Sequence, residues 1–130
     1  MFNKKIGQVL LLIALCFFTL NLIGQEKELC KSWKIDYYIL NGKKNLPILE
    51  ENKNIMTFSE NGNFTGIEDN FSLVGKWKFD IKKKKIYIII DGFPEKLILK
   101  IIKLDNSIFS WEAVNIDDGT SRKTYMVPIK

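Results

Sequence analysis

The sequence predicts an all-β fold, a small eight-stranded antiparallel up-and-down barrel. Three observations carry this expectation. Beyond residue 24, short runs rich in Ile, Tyr, Phe and Trp alternate with polar residues, the period-two pattern of half-buried strands. Turn signals such as Asn41-Gly42, Asn61-Gly62, Asp91-Gly92 and Asp118-Gly119 separate the runs. No helical spacing is sustained after the first few residues of this region, and closing a meander of short strands removes its exposed edges.

The elements follow in order. Residues 1–24 read as a cleavable signal peptide: Lys4 and Lys5 supply the positive start, Val9 to Leu20 the apolar run, and Gly24 the small residue before a cut near Gly24/Gln25. The run is shorter than a bilayer span requires. Export to the periplasm, the envelope or the exterior is therefore expected, with residues 25–130 as one domain. Cys16 lies inside the apolar run behind bulky Leu15, which argues against lipidation there.

Strand one is expected at Ser32 to Leu40, with Trp33, Ile35, Tyr37 and Ile39 on one face and Lys34, Asp36 and Tyr38 on the other. Asn41-Gly42 ends it, and Leu46 to Asn54 forms a loop or one short helical turn. Strand two, Ile55 to Ser59, leads into the clearest hairpin, Glu60-Asn61-Gly62-Asn63, with positive φ expected at the turn centre. Strand three covers Phe64 to Ile67, Glu68-Asp69-Asn70 breaks the pattern, and strand four covers Leu73 to Asp80. Lys82 to Lys85 turns into strand five, Ile86 to Ile90. Pro94 lacks a donor, so Asp91 to Pro94 is a turn. Strands six, seven and eight follow at Lys96 to Leu104, Ile108 to Val114 and Arg122 to Pro128.

Several segments together resemble a known family. Leu29-Cys30-Lys31-Ser32-Trp33-Lys34 resembles the opening strand of the lipocalin-like domains of secreted Bacteroidetes-type bacterial proteins. Met56-Thr57-Phe58-Ser59-Glu60-Asn61-Gly62-Asn63-Phe64 is similar to its Thr-Phe hairpin, and Gly75-Lys76-Trp77-Lys78-Phe79 to its Gly-x-Trp strand. Ser32 stands where that family more often has Gly. The resemblance implies a lipocalin-like barrel and no particular ligand.

The composition excludes much chemistry. The chain has no histidine, so the commonest general base and metal ligand are both missing. Cys30 is the one cysteine beyond the leader and reads as a small half-buried apolar residue. The adjacent acid pairs Glu50-Glu51, Glu68-Asp69 and Asp117-Asp118 lie in turns, where they cap backbone groups. No enzyme, cofactor or metal site is expected. The formal charge is +5, of which Lys4 and Lys5 account for two, and its even spread gives no reason to expect nucleic acid. The sequons Asn63-Phe64-Thr65 and Asn70-Phe71-Ser72 read as incidental in a bacterium.

Two functions from different classes fit these residues. In the first, a monomeric barrel binds a small hydrophobic ligand among Trp33, Tyr37, Phe58, Phe64, Trp77, Phe79, Leu99 and Trp111. In the second, the same aromatics fill the core and the domain is a non-catalytic envelope interaction module. Lys82, Lys83, Lys84 and Lys85 are then a candidate contact to an envelope component, against a plainer role in keeping the Ile86–Ile90 run soluble. A cavity in the barrel discriminates the two.

Overall fold

The computed structural model describes residues 25–49, 51–114 and 121–130. The expected signal peptide and the Asp117-Asp118 pair lie outside the described residues. Among the described residues nine strands form one antiparallel sheet: β1 Ser32–Leu40, β2 Lys43–Asn45, β3 Ile55–Phe58, β4 Asn63–Glu68, β5 Phe71–Asp80, β6 Lys85–Ile90, β7 Leu97–Leu104, β8 Phe109–Ala113 and β9 Arg122–Pro128. Neighbours in sequence pair from β3 through β9, and β9 pairs with β1, so eight strands close into a barrel. The fold class expected from the sequence is the one observed.

The additional strand is β2. Asn41 and Gly42 have φ of 50° and 81°, so both centre residues of a two-residue hairpin are left-handed and Leu40 faces Lys43. This dipeptide makes the Asn-Gly hairpin, whereas the sequence pointed to Asn61-Gly62. There only Gly62 is left-handed, at 87°, and Gly62 N–H donates to Ser59 O at 3.0 Å while Ser59 N–H donates to Asn63 O at 2.9 Å. A longer loop with a glycine bulge results. Asp69 and Asn70 (φ 50° and 70°) form another two-residue hairpin, which pairs Glu68 with Phe71 and starts β5 two residues earlier than expected.

Strand β1 divides its edge. Ser32–Lys34 pair with β3 and Tyr38–Leu40 with β2, and the short 3-10 turn Glu51–Lys53 packs against both β1 and β4 beside the change of partner. The alternation gives the barrel two distinct ends. The β3–β4, β5–β6 and β7–β8 turns lie at one end, with helical residues 25–29. The β1–β2, β4–β5 and β6–β7 connections lie at the other.

The first end is solid. Trp33, Phe58, Phe64, Trp77, Ile86, Ile88, Leu99, Phe109 and Met126 form the core, and Leu29 is fully buried beneath it. Trp33 meets Phe109 edge-on at 5.5 Å, and Phe58 meets Trp77 at 5.5 Å and Phe109 at 6.0 Å. Buried indoles need acceptors for their N–H groups. Trp33 Nε1 donates to Leu29 O and Trp77 Nε1 to Ser59 O, both at 2.9 Å, so each tryptophan ties the plug to a backbone segment at the closed end.

Candidate functional site: a cavity at the open end of the barrel

Toward the other end the barrel is not filled. A cavity of about 480 Å³ lies there, within the size range of small-molecule sites. Its wall is largely apolar, built from Ile35, Met56, Phe64, Leu73, Ile90, Leu97, Trp111 and Met126. Gly66, Ala113 and Thr124 also line it, and these short side chains on β4, β8 and β9 leave the space that larger residues would close. A Cβ on Gly66 would come within 3.3 Å of the Phe64 ring and 3.4 Å of Ile55 O.

Charged groups gather at the mouth. Glu68 follows Phe64 and Gly66 on the inward side of β4, and Arg122 precedes Thr124 and Met126 on that of β9. Arg122 Nη2 lies 3.4 Å from Glu51 Oε2, and its Cζ sits 4.3 Å from the centroid of the Tyr38 ring. The Glu51 turn is thereby pinned across the place where β1 changes partners. Glu95 and Lys96 complete the charged rim. A site with apolar walls and charge confined to its mouth suits a molecule with an apolar body and one polar end.

The eight residues expected to face a ligand divide between the two ends. Phe64 and Trp111 line the cavity. Trp111 is held by its Nε1–H, 3.2 Å from Met126 Sδ, which fixes the ring against the β9 wall. Trp33, Phe58, Trp77 and Leu99 are buried in the solid half, and Phe79 packs against that core. They form the floor below the cavity and not its lining.

Tyr37 is outside. The β1–β9 register shifts between Ile35 and Tyr37, leaving Asp36 as an extra residue and reversing the alternation beyond it. Tyr37 therefore pairs with Tyr125 on the outer face, the two rings stacked at 4.5 Å, with Lys44 Nζ 4.5 Å from the Tyr37 centroid. Tyr38, assigned from the sequence to the outward side, lies opposite inward-facing Thr124 instead. Ile39 moves outward with Tyr37. A strict two-residue period cannot register a bulge, and Asp36 carries no local signal beyond its polarity.

The cavity lining that sequence reasoning missed consists of Ile35, Met56, Leu73, Ile90, Leu97, Thr124 and Met126, together with Gly66 and Ala113. All lie on the expected strands. What the sequence does not display is that the short ones come to one level in the barrel. Among the described residues no group of three or more His, Cys, Asp or Glu side chains is placed to hold a metal, and no helix is long and apolar enough to cross a membrane.

Comparison with known proteins places this geometry. A crystallised lipocalin-like protein from Bacteroides uniformis ATCC 8492 superposes with a TM-score of 0.59 at 18% identity, covering 78% of this chain and 99% of that one. The fold is lipocalin-like. A DUF4847 family protein from Bacteroides vulgatus ATCC 8482 superposes with a TM-score of 0.55 at 14% identity, covering 79% of this chain and 95% of that one. No family model matches the sequence, and no curated protein does. The likeness is therefore one of fold, and it agrees with the resemblance carried by the Thr-Phe hairpin and the Gly75-Lys76-Trp77 strand.

Proposed function

We propose that this chain is a non-catalytic carrier that holds one small amphipathic molecule in the open half of its lipocalin-like barrel. The observation that carries this reading is the 480 Å³ cavity standing on a solid aromatic floor. A barrel filled throughout would have favoured the interaction module; here only the closed half is filled. The apolar body of the ligand lies between Met56, Leu73, Ile90, Leu97 and Trp111, and its polar end meets Glu68 and Arg122 at the mouth.

The protein works outside the cytoplasm, as a monomer. The charge, length and small-residue ending of residues 1–24 support export. Closure of β1 on β9 leaves, among the described strands, the outer edge of β2 unpaired, and that strand is three residues long and carries Lys43 and Lys44, which disfavours pairing with a second copy. A carrier role without turnover is supported by a sequence lacking histidine. The test is native mass spectrometry of protein recovered from the envelope fraction of its own host. A small molecule bound at one per chain, extractable into organic solvent, is the expected result. Ligand-free protein that also fails to take up apolar compounds from a host lipid extract would refute the proposal.

A further inference from the structure

The outer face of β5, β6 and β7 is a lysine field that the cavity does not explain. Lys76 and Lys78 on β5, Lys85 on β6 and Lys100 on β7 project from three adjacent strands, and Lys82, Lys83 and Lys84 form the tip of the β5–β6 hairpin. The register sets Lys85 directly opposite Lys100, a like-charge pair that disfavours the sheet. Acids are sparse beside them. Asp80 accepts a hydrogen bond from Lys83 N–H at 3.1 Å, and Glu112 faces Lys100 across the β7–β8 ladder. Neither forms an ion pair among the described residues, nor do Lys78, Lys82, Lys83, Lys84, Lys85 or Lys100. Asp91 and Glu95 lie further off, in the turn at the mouth.

Apolar side chains stand among these lysines. Val74 and Ile89 are each 55% exposed and share the outward side of β5 and β6 with Lys76, Lys78 and Lys85. Exposed apolar groups ringed by one sign of charge mark a surface that meets a partner. Three features separate the possible anionic partners. The face is the outer wall of a closed barrel, a broad surface that suits a planar partner. The only arginine in the chain, Arg122, is at the mouth, so no forked guanidinium reads individual phosphates here. Tyr87, the aromatic residue in the middle of the face, is covered by Lys96 Nζ at 5.1 Å from its centroid, so that side of the ring is not free to stack on a sugar or base.

From these features we infer that the β5–β7 face docks on the surface of an anionic phospholipid bilayer. The lysines meet headgroup phosphates while Val74 and Ile89 enter the interface. Leu73, Ile90 and Leu97, on the inner faces of the same strands, line the cavity, so docking sets the mouth beside the lipid. The inference concerns the outer face and stands whether or not the cavity holds a ligand.

The test is co-sedimentation of the leader-free chain, residues 25–130, with vesicles of phosphatidylcholine alone and of equal parts phosphatidylcholine and phosphatidylglycerol. Retention on the anionic vesicles alone, weakening as salt is raised, is expected. Each lysine near an anionic membrane contributes about fivefold, so the triple variant Lys78→Gln, Lys83→Gln, Lys100→Gln lowers partitioning on the order of 100-fold. A control triple on other faces, Lys34→Gln, Lys43→Gln, Lys123→Gln, leaves it within a few-fold. All three proteins lack residues 1–24, so the comparison reports the barrel surface, and circular dichroism confirms that each is folded. Equal loss in the two triples, equal retention on both vesicle types, or binding to soluble heparin in place of vesicles would overturn the inference.

Discussion

Replacing Gly75 by alanine places a methyl group against the backbone of β6. The added Cβ would stand 2.0 Å from Ile89 O and 2.9 Å from both Ile89 C and Ile90 Cα. Ordinary carbon–oxygen contact is above 3 Å, and the opposing atoms are backbone, so no rotamer change relieves the overlap. The strands must separate by about 1 Å at a point where Gly75 pairs with Ile90 beside buried Trp77 and Ile88. Overpacking of this kind costs about 3 kcal/mol. For a domain of this size that lowers the melting temperature by roughly 10–20 °C, read by far-UV circular dichroism. A loss below about 0.5 kcal/mol would show that the β5–β6 approach is not as close as described. Gly66→Ala is the matched control. Its Cβ meets the movable Phe64 ring at 3.3 Å, so stability changes by less than about 1 kcal/mol while the cavity narrows.

Three further outcomes are expected. Trp33→Phe keeps an aromatic ring in the core but leaves the Leu29 carbonyl without its donor, costing about 2 kcal/mol in urea denaturation. Asp105 accepts hydrogen bonds from Ser107 N–H and Ile108 N–H and from the Ser107 hydroxyl, and these, helped least by Lys103, hold its carboxyl below the ordinary value of 3.8. The charged form is favoured by folding, so its contribution is present above that value and fades as pH falls through the lowered one. Asp105→Ala should therefore flatten the stability–pH curve on the acid side of 3.8. Burial raises the Cys30 thiol above its ordinary value, as do the carboxylates of Glu60 and Glu26, so alkylation by iodoacetamide at neutral pH should be slower than for free cysteine and rise on denaturation.

The barrel was legible because each strand buries one face and its alternation shows directly in the sequence, as in Leu97, Leu99 and Ile101 or Trp77 and Phe79. Turn chemistry was read less well. Asn41-Gly42 looks like the end of a strand, because β2 is three residues long and carries two lysines, with no apolar pattern to reveal it. Asp36 makes a bulge through pairing with a strand some ninety residues away, a constraint that no local window contains. Tyr37 was misplaced for that reason alone. The aromatic residues read as one interior set belong to two ends of the barrel. Large side chains mark the filled half, while the cavity depends on Gly66, Ala113 and Thr124, which carry no individual signal.

The central claim is that the open half of the barrel holds a ligand, and titration with an apolar fluorophore such as N-phenyl-1-naphthylamine tests it most directly. Binding should saturate at one site per chain in the parent protein. Ala113→Phe, which fills the cavity from β8, should weaken it at least tenfold, whereas Phe79→Leu, in the closed half, should leave it unchanged. A parent protein that binds no probe, or an Ala113→Phe variant that binds it as well as the parent does, would contradict the account.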